Sequence, residues 1–442
     1  MTRSAYVHIP FCRRRCFYCD FAISVVGDHK RGDSSRTISR YIETLIREIN
    51  ATPVVGHSSA GHSSADHSPD PSLEKRPQPL ETVFFGGGTP SLLEPAQVER
   101  ILATLDKRFG IASTVEISME MDPATFELDH AQGYKAAGIN RVSLGAQAFQ
   151  DELLAAAGRF HRREDITQAV RTLQAAGFEN ISLDLISGLP HQTMAHWEES
   201  LQAAIALTPT HLSIYDLIVE PQTAFARYYT PGEKPLPSDR TTAEMYTLAQ
   251  QILTGQGYSH YEICNFAQPG YEAQHNLTYW RCEPNYGFGM GATSYLPQPT
   301  GPQRIDRPRT QATYRDWVEK FIEQAGKTNE PTLPPTEQVL ENIMMGLRLK
   351  QGISLESVNQ VFGEAGLKKL SQALIPHIQK GWIILQHSPI DYSPSNQHNV
   401  SHRQQSVFPH SHIRLSDPYG FLMSNVVITD AFNAIEAVTP LT

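Results

Sequence analysis

The sequence predicts an α/β protein, a partial (β/α)6 barrel of the TIM type followed by a smaller, mainly helical C-terminal domain. Two observations predict the barrel. Short runs rich in β-branched and aromatic residues alternate with amphipathic helical stretches, and polar or glycine-rich residues follow the carboxyl end of each run. A third observation predicts the smaller domain, because the alternation stops near residue 335 and apolar residues then recur mainly at helical spacing.

Six strand-like runs carry the barrel prediction. They are Ala5 to Ile9, Thr82 to Phe85, Val115 to Met121, Arg141 to Leu144, Ile181 to Leu185 and Leu212 to Leu217. Amphipathic helical stretches lie between several of them, at Ile38 to Ile49, Ala96 to Phe109, Ile166 to Ala176 and Trp197 to Leu207. This repeated order implies parallel strands joined by right-handed crossovers, and therefore a curved parallel sheet or partial barrel.

Composition excludes several classes of protein. The net charge of −9 argues against broad contact with nucleic-acid phosphates, so no nucleic-acid partner is expected. Five cysteines in 442 residues are too few for a disulfide framework. The N-terminus reaches polar sequence too soon for a signal peptide, and no apolar stretch is long enough to span a bilayer. We therefore expect a cytoplasmic protein.

We expect three segments: the barrel over residues 1–235, a barrel-associated segment over 236–334 and the C-terminal domain over 335–442. Two stretches of low complexity interrupt them. Residues 54–79 repeat His-Ser-Ser-Ala and then become proline-rich, and residues 386–412 are rich in Ser, His, Gln and Pro. Neither stretch can bury a core, so both are predicted to be flexible surface insertions. Weak metal binding by the repeated histidines is the alternative for the first stretch.

Three cysteines follow the first strand, Cys12, Cys16 and Cys19. Thiolates this close together can hold three corners of an iron-sulfur cube, which leaves one iron for a ligand from elsewhere, such as a small chelating molecule. A zinc site is one alternative, but Cys264 and Cys282 are too far apart in sequence to supply the usual second pair. Buried structural cysteines are the other alternative. The three arginines between Cys12 and Cys16 are not typical of a packed core.

The second strand leads into three glycines, Gly86, Gly87 and Gly88, followed by Thr89. Glycine lets the backbone approach a ligand closely and adopts the dihedral angles of a tight turn. The segment lacks the Lys-Ser/Thr of a phosphate-binding loop and the G-x-G-x-x-G spacing of a dinucleotide site. Nucleotide phosphate is therefore a poor candidate ligand, and a purely structural turn is the alternative.

Four polar residues lie near the carboxyl ends of later strands, where ligands bind in α/β barrels. They are Glu120, Gln147, Arg159 and Asp184. Taken singly, each is ordinarily a solvated surface residue or a turn former. Together they offer hydrogen-bond acceptors and a cation to one ligand.

The spacing C-x3-C-x2-C resembles the signature of the radical S-adenosylmethionine (SAM) family, in which three cysteines hold a [4Fe-4S] cluster and SAM chelates the open iron. Phe17 and Tyr18, which precede Cys19, add to the likeness. The segment GGGTP resembles the motif by which that family holds the methionyl amino group of SAM. The resemblance implies a partial barrel of the radical SAM kind with a [4Fe-4S] cluster and SAM as cofactors.

Longer segments resemble the branch of that family that contains oxygen-independent coproporphyrinogen dehydrogenase and the haem chaperones of the HemW type. These segments are VHIPFCRRRCFYCDF, FFGGGTPS, SLGAQAF, SLDLISGLPHQT and YEICNFA, in order over roughly residues 5–300. The resemblance implies a set of positions around SAM, which are Tyr6, Tyr18, Gly87, Gly88, Thr89, Glu120, Gln147, Arg159 and Asp184. In the dehydrogenase the cluster loop continues as Cys-x-Cys, whereas this chain has Phe21, which favours the chaperones.

Residues 275–280 read HNLTYW and resemble the HNxxYW motif of those chaperones. The resemblance implies His275 as a haem ligand, because imidazole is a common axial ligand of haem iron and aromatic side chains pack against a flat macrocycle. Spacing alone favours the alternative of a buried histidine flanked by core aromatic residues.

Apolar helical patterns after residue 335 cover Val339 to Leu349, Leu355 to Phe362 and Leu367 to Ile378. Trp382 to Leu385 and Val426 to Ile428 fit either strands or helix ends. With the resemblance, they imply a small domain of the winged-helix kind. Because it has no marked basic run, we expect it to contact protein or act as a lid rather than bind DNA.

Two functions follow. The first is a haem chaperone that binds haem and transfers it to an acceptor protein not identified by the sequence, with transient contact to membrane haem proteins and with its cluster and SAM in regulation or assembly. The second is a radical SAM oxidoreductase that decarboxylates coproporphyrinogen III oxidatively. We favour the first and expect no porphyrinogen oxidase activity and no catalytic residue.

Overall fold

The structure, a computed structural model, describes residues 2–28, 31–55, 78–387 and 411–441. Residues 56–77 and 388–410, which make up most of the two predicted insertions, lie outside the described residues. The chain divides into two compact units. One contains residues 1–245, 273–278 and 283–332, and the other contains residues 246–272, 279–282 and 333–442.

The strands of the described residues are, in chain order, β1 Ser4–Ile9, β2 Phe11–Cys12, β3 Ser24–Val25, β4 Leu80–Gly87, β5 Ile111–Met121, β6 Arg141–Gln147, β7 Asn180–Ser187, β8 His211–Asp216, β9 Ser259–His260, β10 Asn265–Ala267, β11 Asn285–Phe288, β12 Thr293–Leu296, β13 Gln303–Asp306, β14 Ile353–Ser354, β15 Ile383–His387 and β16 Ser411–Leu415. The last two strands pair with each other and extend two residues into the predicted insertion 386–412 at each side.

The α-helices are α1 Arg36–Ala51, α2 Pro95–Phe109, α3 Leu128–Ala137, α4 Asp151–Ala156, α5 Arg163–Ala175, α6 Met194–Ala206, α7 Phe225–Tyr228, α8 Asp239–Gly255, α9 Gln274–Trp280, α10 Gln311–Glu323, α11 Pro335–Gly346, α12 Glu356–Gln379, α13 Tyr419–Leu422 and α14 Ser424–Glu436. Two 3₁₀ turns cover Gly32–Ser34 and Pro90–Leu92. None of the described helices is both long enough and apolar enough to cross a bilayer.

The first unit contains a sheet in the order β13-β12-β11-β1-β4-β5-β6-β7-β8. The six predicted strands are its consecutive parallel members, β1 and β4 to β8, and the predicted fold class is confirmed. Strand β11 adds a parallel neighbour to β1, and β12 and β13 follow antiparallel. These three strands were missed because each is only four residues long and shows no clear alternation.

The register of this sheet brings two sequence motifs together. Ile9, the last residue of β1, lies opposite Gly87, the last residue of β4. The cysteine loop after β1 and the glycine run at the end of β4 therefore meet at the carboxyl edge of the sheet, which is where α/β barrels bind their ligands.

The second unit has a core of helices α11, α12 and α14 against a three-stranded antiparallel sheet in the order β14-β16-β15. Of the three predicted helical stretches before residue 380, the first corresponds to α11. The other two are the two halves of α12, which is interrupted at Gly363, where φ is 60°. Of the two ambiguous pieces, Ile383 to Leu385 belong to strand β15, and Val426 to Ile428 belong to helix α14. This combination of helices and a small antiparallel sheet agrees with a winged-helix kind of domain.

A buried ion pair in the first unit joins helix α1 to Arg307, which directly follows β13. Both side chains are almost inaccessible, and Arg307 Nε lies 2.8 Å from Glu48 Oε1. The other carboxylate oxygen, Glu48 Oε2, accepts hydrogen bonds from Tyr314 Oη at 2.5 Å and from the Gly289 amide at 2.9 Å. Because a buried charge needs several partners to offset its desolvation, this network stabilises the β11-β12 turn against α1.

Removal of the buried cation should cost far more stability than removal of an exposed one. Arg307→Met keeps much of the side-chain volume but leaves Glu48 uncompensated, and we expect the free energy of unfolding to fall by about 3–5 kcal/mol. The control is Arg47→Met, which breaks an exposed ion pair with Glu319 and should cost at most about 1 kcal/mol. Urea denaturation measures both, and equal losses would contradict this account.

Candidate functional site

A cavity of about 350 Å³ opens at the carboxyl edge of the parallel strands. The structure brings most of the residues proposed from sequence into its lining, and these are Cys12, Cys16, Tyr18, Cys19, Gly87, Gly88, Thr89, Glu120, Gln147, Arg159 and Asp184. Tyr6 and His275 are not part of the lining. Residues separated by more than 170 positions in the chain thus share one site.

The cysteine loop leaves β1 through β2 and returns as β3, which pairs with β2 in parallel. Within the loop, the Cys19 amide donates to the Cys16 carbonyl at 3.2 Å. Arg15 Nη1 donates to the carbonyls of Cys19 and Phe21 at 3.1 and 3.2 Å. These bonds shape the loop so that all three free thiols are partly exposed and line the same cavity.

The three thiols suit a cluster better than a single ion. A zinc ion requires its donors at about 2.0–2.3 Å from one centre, and no three His, Cys, Asp or Glu side chains in the described ranges are arranged to hold one ion. In an iron-sulfur cube each cysteine binds a different iron, so the donors need not converge. Burial raises the pKa of Cys12 to about 12, and it also raises the pKa of Cys19. Ligation therefore has to displace the thiol protons.

The glycine run fits closely against the cysteine loop. A Cβ atom on Gly88 would lie 2.6 Å from the Phe11 carbonyl oxygen and 3.0 Å from Cys12 Sγ. Gly87 has a φ of 113°, and a Cβ atom there would overlap the His8 ring. Side chains are thus excluded at both positions, and the backbone of the run faces the cavity.

Glu120 and Asp184 line the cavity, and burial raises the pKa of both carboxyl groups. Burial raises the pKa of Glu120 to about 7, although its carboxylate accepts a hydrogen bond from the Gly87 amide at 2.9 Å, and the neighbouring charge of Asp184 adds to the rise. Burial also raises the pKa of Asp184, which accepts hydrogen bonds from Ser143 Oγ at 2.9 and 3.0 Å. A cationic ligand, or hydroxyls that donate hydrogen bonds to the carboxylates, would favour the ionised form of both groups.

Arg159 is a largely buried cation of the site, and it already has one anionic partner. Its Nη2 lies 2.8 Å from Asp122 Oδ2 and 2.9 Å from the Gly145 carbonyl, and its Nη1 lies 3.4 Å from Cys16 Sγ. Burial by itself would raise the pKa of Asp122, but the charges of Arg159 and His161 outweigh burial, and the pKa falls. Arg159 Nε is buried and has no hydrogen-bond partner among the described residues, so this donor remains for a ligand.

Asp122 and His161 were not selected from the sequence as site residues. Asp122 directly follows β5, the strand that contains Glu120. His161 follows Arg159 by two positions, and its Nδ1 lies 3.8 Å from Asp122 Oδ1. The available signals were proximity to the chosen residues and, for Asp122, its place at the carboxyl end of a predicted strand. Gln147, which was selected, has a positive φ of 67°, a strained conformation for a residue with a side chain.

Tyr6 and His275 lie among aromatic rings inside the first unit. The His275 ring stacks on Phe84 with centroids 5.2 Å apart and on Tyr6 at 6.4 Å. Its Nδ1 lies 2.8 Å from Thr82 Oγ1, and the residue is only 1% exposed. Burial lowers the pKa of His275 to about 3, so the ring is neutral. This environment agrees with the alternative of a buried histidine, and haem ligation by His275 stays a prediction.

Comparison with known proteins defines the class first. Residues 6–204 match the Radical SAM superfamily, and residues 333–390 match the HemN C-terminal domain. The fold is similar to that of coproporphyrinogen III oxidase (HemN) from Escherichia coli, described as a radical SAM enzyme, with a TM-score of 0.71 and 22% identity over 98% of this chain and 90% of that chain. At this identity the likeness concerns the fold alone.

Two relatives define the family more narrowly. The heme chaperone HemW of Synechocystis sp. is 42% identical over 439 residues, which is 99% of this chain and 98% of that protein. The heme chaperone HemW of Bacillus subtilis is 34% identical over 394 residues, which is 87% of this chain and 95% of that protein. The chain belongs to the HemW family of the radical SAM superfamily.

The raised pKa of Glu120 makes stability depend on pH. The pKa of Glu120 rises from 4.5 to about 7 on folding, so the folded state favours the protonated carboxyl group. The resulting stabilisation is fully present below about pH 4.5 and is lost as the pH rises through 7. Glu120→Gln cannot ionise. In urea denaturation of the ligand-free protein, we expect the stability of this variant relative to the wild type to rise by about 2–3 kcal/mol between pH 4.5 and 8.

The control for this measurement is Glu152→Gln, since Glu152 is exposed and lies outside the cavity lining. Its stability difference from the wild type should be independent of pH over the same range. If the stability difference between Glu120→Gln and the wild type is also independent of pH, the raised pKa of Glu120 is contradicted.

Proposed function

We propose that this protein is a haem chaperone that binds haem and transfers it to an acceptor protein. The observation that carries the proposal is 42% identity, over nearly the full length of both chains, to a protein named heme chaperone HemW. We further propose that it carries a [4Fe-4S] cluster on Cys12, Cys16 and Cys19, together with an exchangeable SAM.

The cavity supports the proposed cofactors. A cluster with bound SAM supplies one-electron chemistry when both are present. Cys12, Cys16 and Cys19 would each bind one iron. The backbone of Gly87 and Gly88, with Thr89, would meet the amino group of SAM. Arg159 would donate through Nε to the carboxylate of SAM. Acceptors for the amino group and ribose hydroxyls would come from the polar groups Glu120, Gln147 and Asp184, while Tyr6 and Tyr18 remain proposed members of the same set.

The alternative function is the oxidative decarboxylation of a porphyrinogen. The sequence motifs imply it, because the branch of the family that they resemble also contains the dehydrogenase. Phe21 stands where the resemblance places a further cysteine in the dehydrogenase, and its ring is 55% exposed at the cavity. This difference in the cluster loop favours the chaperone.

Location and partners follow from the proposed function. We propose a cytoplasmic protein that delivers haem to an acceptor, including transient contact with haem proteins of the membrane. The net charge of −9 gives no support to a nucleic-acid partner.

The proposed cluster predicts that one cysteine change abolishes it. Cys16→Ser leaves two thiolates, which hold a cube poorly, so iron and sulfide content after anaerobic reconstitution should fall by at least about tenfold, with loss of the cluster absorbance. The matched control is Cys282→Ser, because Cys282 lies outside the cavity lining and should leave iron content unchanged. Full iron content in Cys16→Ser would contradict the ligand assignment.

Haem binding and porphyrinogen turnover, measured on one anaerobic preparation, separate the two functions. For a chaperone we expect stoichiometric haem binding, followed by the Soret band, and no decarboxylation of coproporphyrinogen III with SAM and a reductant. Efficient decarboxylation would establish the oxidoreductase instead. His275→Ala belongs in the same series, because unchanged haem affinity in that variant would remove His275 as the ligand.

A further inference from the structure

Four large apolar side chains are exposed at the mouth of the cavity. Phe21 is 55% exposed, Phe160 53%, Tyr215 42% and Ile218 68%, and all four line the cavity. They come from three places in the chain: the cysteine loop, the turn after α4, and the end of β8 with the residues that follow it. We refer to these four residues as the apolar rim.

The apolar rim is unlike ordinary surface apolar residues. Single exposed apolar side chains are normal, but several from separate elements around one opening indicate a surface that is covered by a ligand. Aromatic side chains offer flat faces, and flat faces suit a flat conjugated ring.

A cation lies beside the apolar rim. The Arg14 guanidinium is centred 4.9 Å from the centroid of the Phe160 ring, and the side chain is 58% exposed. It binds the Asp28 carboxylate through two bonds, from Nε at 3.0 Å and from Nη2 at 2.6 Å. Because an exposed ion pair of this kind contributes little free energy, a carboxylate of a ligand can replace Asp28.

The size of the cavity places a large ring outside it. At about 350 Å³ the cavity is near the lower limit of roughly 300–1,000 Å³ for small-molecule sites. A tetrapyrrole does not fit inside together with a second ligand. It would therefore lie across the mouth, with one face against the apolar rim and its propionates toward Arg14.

We propose that the apolar rim and Arg14 form the docking surface for the porphyrin ring of haem. This placement rests on the proposed haem-chaperone function and gives the location of its ligand. The contacts are to the macrocycle and to a carboxylate, not to iron, so the surface should accept a metal-free porphyrin as well as haem.

The test is titration of the anaerobically reconstituted protein with haem and with metal-free protoporphyrin, by Soret absorbance and porphyrin fluorescence. Phe160→Ser and Ile218→Ser should each raise Kd about tenfold for both ligands, because each removes a large apolar contact. Arg14→Glu should weaken both ligands, but should not weaken the dimethyl ester of protoporphyrin, which has no carboxylate.

Two control variants match these changes. Leu128→Ser removes an apolar side chain that is 43% exposed and lies outside the cavity lining. Arg47→Glu reverses an exposed arginine that binds a carboxylate through two nitrogens, as Arg14 does. Both should leave Kd unchanged, and iron content is measured in every variant. If Arg14→Glu loses the cluster, the Kd of Ile218→Ser tests the docking surface instead, since Ile218 follows β8 and lies outside the cysteine loop.

The outcomes separate this placement from the proposed function. Haem binding by the wild type with unchanged Kd in Phe160→Ser and Ile218→Ser would overturn the docking surface and leave the haem chaperone intact. Binding of haem but not of metal-free protoporphyrin would also overturn it, because an iron ligand would then dominate. Absence of haem binding by the wild type would contradict both the docking surface and the proposed haem-chaperone function.

Discussion

The close approach of the glycine run to the cysteine loop is the constraint on which the site depends. Parallel pairing places Ile9 opposite Gly87, so the two loops leave the sheet side by side. A Cβ atom on Gly88 would lie 2.6 Å from the backbone of Phe11, and only glycine avoids that overlap. The positions of the three thiols relative to the backbone of the glycine run therefore follow from strand register and from the absence of side chains.

The same edge of the sheet holds carboxyl groups with opposite pKa shifts. Glu120 and Asp122 are two residues apart, yet burial raises the pKa of Glu120 while Arg159 and His161 lower the pKa of Asp122. Asp122 therefore holds the Arg159 guanidinium beside the thiols, and Glu120 keeps its acceptor capacity for a ligand. Position at the carboxyl end of β5 thus decides which group holds the arginine and which receives a ligand.

Sequence was a good guide wherever the signal was local. Strand periodicity located the six barrel strands, and the spacing of Cys12, Cys16 and Cys19 located the loop. It failed where partners are distant, because Glu48 and Arg307 are 259 positions apart and periodicity carries no information on such pairs. The role of Asp122 depends in the same way on Arg159, 37 positions away. The burial of His275 was open for the same reason, since Thr82 and Phe84 reach it from another strand.

The contrast between His275 and the apolar rim bears on how a carrier would hold haem. A histidine that is 1% exposed and stacked on Phe84 can reach iron only after its surroundings open, which would slow both capture and release. Ile218, at 68% exposed, meets a ligand without any rearrangement. Affinity differences among related complexes arise mainly in the rate of dissociation, and a protein that passes its ligand on requires that rate to stay high. Contact to the faces of the macrocycle at an open rim satisfies this requirement better than ligation in a closed interior.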